Sequence, residues 1–145
     1  MPSGSPASDD RRTLVPLTVE LVSAERKVWS GEANFVVART LDGELGILPG
    51  HISLLGVLAE GFTVRITGGE AGDGVEAAAH GGFLSVSHDV VTILTEIAEL
   101  STEIDVDRAR AALERATTGA GDDEVASESA AARARARLAA AGQPV

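Results

Sequence analysis

The residues best suited to recognising a ligand lie late in the chain: one aspartate and four arginines. Arg108 and Arg115 are seven residues apart, close to two helical turns, so on a helix they share a face. Asp105 stands three residues before Arg108, on a neighbouring line of that face. Arg133 and Arg137 are four apart and share a face of their own. If the two stretches fold as a helical hairpin, four guanidinium groups come together. Four cations in one place repel unless an anion sits among them, and the planar fork of arginine matches a phosphate. A solvated basic face with Asp and Glu partners has the same spacing and is the commoner case, so spacing alone leaves both readings open.

Other chemistry is thin. There is no cysteine and no tyrosine, which removes disulfides, thiolate catalysis and Cys-ligated zinc. His51, His80 and His88 have no helical i, i+4 spacing and no acidic pair at metal-ligand spacing, and each reads as a turn or surface histidine. No serine sits in Gly-x-Ser-x-Gly. The residues describe a protein that is not an enzyme by itself, with no catalytic group and no metal site. The run Asp42-Gly43-Glu44-Leu45-Gly46-Ile47-Leu48-Pro49-Gly50-His51 is rich in glycine, and such loops sometimes cradle phosphate through backbone N–H groups. It lacks the lysine and the following helix that this needs, so it reads as a shaped turn with a strand fragment inside it.

The elements that must position these groups fall into two regions. From Leu14 onward the pattern has period two: Leu17, Val19 and Leu21 share a face, and 62–67, 83–87 and 90–94 alternate in the same way. Residues 33–39 and 52–58 are β-like, 75–80 weakly so, and Val28-Trp29 is a short apolar step. Short strands broken by turn signals, with no βαβ unit, predict an antiparallel sandwich or barrel. Near Ser101 the composition changes to helix formers. Asp105 is the expected N-cap of a first helix, with Asp107 in its first turn. Residues 117–121 break it, and a second helix runs from the acidic start at 122–124 to about Ala141. The expected fold is mainly β plus α: a disordered leader over 1–13, an antiparallel β-sandwich over 14–100 and a two-helix hairpin over 101–145.

That hairpin is poor in large apolar side chains. It has Ile104, Val106, Leu113, Val125 and Leu138, and is otherwise alanine. A buried Leu or Ile contributes about 1.5–3 kcal/mol, and helices this short are marginal alone. The hairpin should therefore be held by only a few kcal/mol. A ligand at about a hundred times its Kd adds roughly 2.7 kcal/mol, which is comparable, so ligand binding could decide whether the hairpin is docked.

The formal charge of -10 argues against general nucleic-acid binding. No apolar run is long enough to span a bilayer, and the Ser/Pro/Asp-rich start is not a signal peptide.

Several segments in order resemble the epsilon subunit of bacterial F-type ATP synthases: Leu21-Val22-Ser23-Ala24-Glu25, Ser30-Gly31-Glu32, Gly43 to His51, Gly81-Gly82-Phe83-Leu84 and Val91-Thr92-Ile93-Leu94. The likeness covers 14–116 well. The linker over 117–128 does not match, and the second helix is aligned by the Arg133-x-x-x-Arg137-Leu138 spacing. The resemblance implies a sandwich followed by a two-helix hairpin, clamped to the gamma subunit and to the c subunits of the rotor ring. It implies a part in coupling proton flow to ATP synthesis without performing the chemistry. Contact with the membrane would be only through the complex, at the cytoplasmic face of the bacterial plasma membrane. The hairpin in this family lies compact or extends toward the catalytic alpha/beta head, where it blocks ATP hydrolysis.

Some members bind ATP through Ile/Leu-Asp-x-x-Arg-Ala, and Ile104-Asp105-Val106-Asp107-Arg108-Ala109 fits that pattern in full. The remaining site positions fall on Glu99, Arg115, Arg133 and Arg137. By the same resemblance Glu44, Leu45, Gly46, Ile47, Pro49, Gly50 and His51 form the surface that docks on the rotor ring and the gamma subunit. ATP would be a regulatory ligand, and no cofactor is required. Two other readings stay open: a purely structural stalk subunit without ATP sensing, and a free-standing β-sandwich module that binds, for instance, a sugar.

Overall fold

A computed structural model describes residues 15–118 and 124–143; the expected leader over 1–13 and the centre of the linker lie outside these. Period-two alternation builds ten strands. They are β1 (Leu17–Ser23), β2 (Lys27–Ala33), β3 (Phe35–Thr40), β4 (Gly43–Ile47), β5 (Leu54–Val57), β6 (Phe62–Thr67), β7 (Val75–His80), β8 (Phe83–Ser87), β9 (Val90–Thr95) and β10 (Ile97–Leu100). One sheet has the order β2-β1-β9-β8-β5 and the other β10-β7-β6-β3-β4. Their inner faces share one core in which Leu17, Leu21, Ile47, Ile66, Leu84 and Ile93 are fully buried.

The sandwich departs from the sequence reading in three places. The β1–β9 ladder is parallel, in register from Thr18↔Val90 to Ser23↔Thr95, whereas an antiparallel sheet was expected throughout. The step at Val28-Trp29 is part of the full strand β2, which pairs with β1. Residues 97–100 form β10, which alternation does not show and which pairs with β7. Four residues are too few for alternation to declare itself, and β10 owes its existence to the neighbouring edge of β7.

Two helices follow: α1 (Val106–Thr118) and α2 (Glu124–Ala140). Asp105 caps α1, its Oδ1 accepting the Arg108 backbone N–H at 3.0 Å. The C-terminus of α2 closes with a Schellman arrangement, in which Gln143 N–H donates to Leu138 O at 2.8 Å and Gly142 N–H to Ala139 O at 3.0 Å. The hairpin is compact. α2 packs on both α1 and strands β6 and β7. Alternate residues of β7 divide its burial: Ala77 and Ala79 enter the sandwich core, while Ala78 meets Ala136, Ala140 and Ile104 on the outer face.

The seat of α2 is close because the side chains are small. Gly61, at φ 70°, lies directly beneath the helix; a Cβ there would come within 2.5 Å of the Ala132 carbonyl carbon. The Thr63 hydroxyl donates to the Ala136 carbonyl at 3.2 Å.

Candidate functional site

The joint between sandwich and hairpin encloses a cleft of about 440 Å³. Its walls come from β10 (Ile97, Glu99), the turn before α1 (Glu103, Asp105), α1 (Arg108, Ala109, Ala112, Arg115) and α2 (Arg137). Six of the eight residues expected to bind a nucleotide line it: Glu99, Asp105, Arg108, Ala109, Arg115 and Arg137. Ile104 and Arg133 do not. Ile104 is taken up by the apolar contact with Ala78, Ala136 and Ala140. Arg133 donates from Nη1 to Glu60 Oε1 at 2.9 Å. The fold thus gathers three guanidinium groups in the cleft rather than four.

Arg137 is already engaged, its Nε donating to Glu99 Oε1 at 2.5 Å. Asp105 has one oxygen committed to the helix cap. Glu103 accepts the Leu100 backbone N–H at 2.9 Å and the Arg26 guanidinium at 2.6 Å. Those two bonds hold its carboxyl below the usual range, the backbone bond contributing most. Counted by side chain, the cleft carries Arg108, Arg115 and Arg137 against Glu99, Glu103 and Asp105.

His80 corrects the sequence reading. His51 and His88 are turn residues, but His80 is 2 % exposed, on β7. It shares the outer face of Ala78, two residues before it, and so lies beneath α2. Neither ring nitrogen has a partner among the described residues. Burial, together with the nearby Arg137 and Arg133 charges, pushes its pKa from 6.5 to about 4. Glu60, Gly61 and His80 were all missed as parts of the joint. They carry no motif, and only the docking of α2 brings them together.

At another part of the sandwich, the glycine-rich run folds as β4 and a β-turn. His51 N–H donates to Leu48 O at 3.1 Å, with Pro49 and Gly50 in the middle and Gly50 at φ 88°, the geometry of a type II turn. Gly50 N–H donates to Asp89 Oδ1 at 2.7 Å, which ties the turn to the β8–β9 hairpin. His88 and Asp89, at φ 49° and 64°, give that hairpin its two-residue loop. The expected docking residues separate by exposure. Glu44, Gly46 and Gly50 are exposed, and Leu45, Pro49 and His51 half-buried. Ile47 is fully buried and belongs to the core, so it holds the strand and offers nothing to a partner. The exposed apolar groups beside this turn are Leu48 and Ile52, at 58 % and 78 %.

A second apolar surface crosses the outer face of the β1-containing sheet. Val57 on β5 lies opposite Phe83 on β8, and Phe83 opposite Leu94 on β9. All three are exposed, so one row of apolar side chains runs over three neighbouring strands.

A family model described as ATP synthase, Delta/Epsilon chain, beta-sandwich domain matches residues 16–101. An ATP synthase epsilon chain of Thermobifida fusca (strain YX) is 53 % identical over 125 residues, 85 % of this chain and 91 % of that one. The chain belongs to the ATP synthase epsilon chain family. The epsilon chain of Rhodococcus opacus (strain B4) is 48 % identical over 123 residues, covering 85 % and 97 % of the two chains. Both relatives are named as chains of an ATP synthase. Among solved structures, a chain of the Euglena gracilis mitochondrial ATP synthase (OSCP/F1/c-ring) superposes with a TM-score of 0.74 at 25 % identity, covering 88 % of this epsilon chain and 82 % of that chain. A chain of the Tetrahymena thermophila central stalk and c-ring shares the fold, with a TM-score of 0.61 at 17 % identity. No helix among the described residues is long and apolar enough to cross a membrane.

Proposed function

We propose that this epsilon chain rides on the rotor of a proton-translocating ATP synthase and restrains ATP hydrolysis through its hairpin, with ATP as the ligand of the cleft. The sandwich links the gamma subunit to the c subunits of the ring. The hairpin leaves the sandwich to reach the catalytic alpha/beta head. The chain meets the membrane only through the complex, at the cytoplasmic face. Two features support the docking role: the pinned turn at 48–51 with its exposed Leu48 and Ile52, and the apolar row Val57-Phe83-Leu94. Exposed apolar surface of that kind marks contact with another protein.

One observation carries the regulatory reading. The cleft is walled by all the parts that would have to separate: Glu99 on the sandwich, Asp105 at the turn, Arg108 and Arg115 on α1, and Arg137 on α2. A ligand filling it is bound only while the hairpin is compact, so by linkage it holds the compact form. The guanidinium groups of Arg108 and Arg115 are suited to the phosphates, and Arg137 would exchange Glu99 for the ligand. The cleft's balance of three cations against three carboxylates favours a second reading, in which the charges only pair with one another and the hairpin is structural. Calorimetry separates the two. Hydrogen bonds to charged groups are worth about 1.5–3 kcal/mol, so Arg108→Ala and Arg115→Ala should each weaken ATP binding by roughly tenfold to a hundredfold. Equal affinity in wild type and both variants, or no ATP binding by wild type, would leave the structural reading.

A further inference from the structure

His80 is a buried polar side chain with no protein partner among the described residues, on the strand over which α2 packs. Its backbone is fully occupied: the N–H donates to the Thr95 hydroxyl at 3.1 Å, and the same hydroxyl lies 3.1 Å from the His80 carbonyl. Only the imidazole is left over. An unpaired buried group of this kind costs stability, and its retention calls for an explanation.

The charged groups around it come from every neighbouring element. α2 contributes Arg133 and Arg137. The segment after β5 contributes Glu60, and β10 contributes Glu99, each paired with one of those arginines. On β7 itself Glu76 is committed to Arg65 of β6 at 3.4 Å. While α2 is seated, Glu60 and Glu99 are paired with its arginines, and those two guanidinium groups oppose an imidazolium. When α2 leaves, Arg133 and Arg137 leave with it. Glu60 and Glu99 stay behind on the sandwich, and the imidazole meets water. Both changes favour the proton.

We propose that His80 is a proton-operated latch on the hairpin: unprotonated, it allows α2 to lie on β7 with its arginines on Glu60 and Glu99, and protonated, it expels them. A proton and helix α2 compete for one site, so acidification releases the hairpin. The latch rests on the detachable hairpin of the proposed function and adds a second input to it, independent of ATP.

The sign follows from proton counting. A histidine whose pKa falls on docking binds fewer protons in the docked form, so docking is favoured as pH rises and weakened as pH falls. With the ordinary value of 6.5 taken for the released form, the docking contribution is fully present above 6.5 and is lost on descending toward about 4. Between about pH 7.5 and pH 5 those limits predict a fall in the docking constant of roughly 25-fold.

Hydrogen exchange on the full chain, corrected for intrinsic rates, reads this in the amides of α2. In wild type the open fraction should rise roughly 25-fold over that interval, while His80→Leu should show little change. Equal pH dependence in wild type and His80→Leu would overturn the latch. Where His80→Leu fails to seat the hairpin at all, the imidazole resonance of wild-type His80 decides: titration below about pH 5 supports the proposal, and titration near the ordinary value contradicts it. The reading beneath it fails separately. If α2 amides exchange only with the core strands of the sandwich, the hairpin does not detach; if α2 opens alone but equally at both pH values, only the latch is lost.

Discussion

Asp105 performs two tasks with one carboxylate, and this sets how its substitution must be interpreted. One oxygen caps α1 through the Arg108 backbone N–H; the negative charge faces the cleft with Arg108 and Arg115. Asp105→Ala removes both, while Asp105→Asn keeps a capping oxygen and removes only the charge. We expect Asp105→Ala to cost about 1 kcal/mol of α1 stability, and Asp105→Asn to cost a few tenths at most. Amide exchange within the first turn of α1 measures the difference, and equal losses would mean that the cap is not what Asp105 contributes. Asp105 and Arg108 were legible in the sequence because cap and motif are local, spaced by one helical turn. His80 and Glu60 were not: a lone histidine on a weak strand and a glutamate beside a glycine gain meaning only from contact with a helix more than forty residues further on.

At the scale of elements, the attachment of α2 depends on small residues more than on charge. Ala78, Ala136 and Ala140 touch across the interface, and Gly61 lets the helix backbone come down onto the sheet. Gly61→Ala places a methyl where the helix carbonyl stands, at a φ that alanine also disfavours. Such overpacking costs about 1–3 kcal/mol, comparable to what a few buried side chains of a short helix supply. The expected result is loss of exchange protection throughout α2, with β1 and β9 unchanged; retained protection in α2 would show that the seat tolerates displacement. Alternation exposed most strands of the sandwich, because one face of each is buried. It did not reveal β10, the strand character of Val28-Trp29 or the parallel β1–β9 pair, which depend on which edge a segment finds. Alanine richness explains why the second helix gave so weak a signal: it buries Ala131, Ala134, Ala136 and Ala140 together with Leu138, against both α1 and the sheet, so no single apolar stripe marks its face.

Across the whole molecule, a rigid sandwich carries a lightly held arm. The sandwich has a continuous apolar core of Leu, Ile and Val and presents a turn fixed by Asp89 and an apolar row over β5, β8 and β9. The arm is held by two ion pairs, the Thr63 hydroxyl bond to Ala136 and a small alanine contact, over a buried histidine. Both ion pairs are partly exposed to solvent, and pairs of that kind contribute little, so the balance between seated and released forms lies within reach of a ligand or a proton. Ala78 and Ala136 are in contact across the joint, and the chain has no cysteine of its own. The most direct test is therefore ATP hydrolysis by the assembled complex carrying Ala78→Cys and Ala136→Cys, measured with the pair oxidised and then reduced. The account predicts that the oxidised complex, its hairpin fixed on the sandwich, hydrolyses ATP without restraint, and that reduction restores inhibition. Equal inhibition in both states would contradict it.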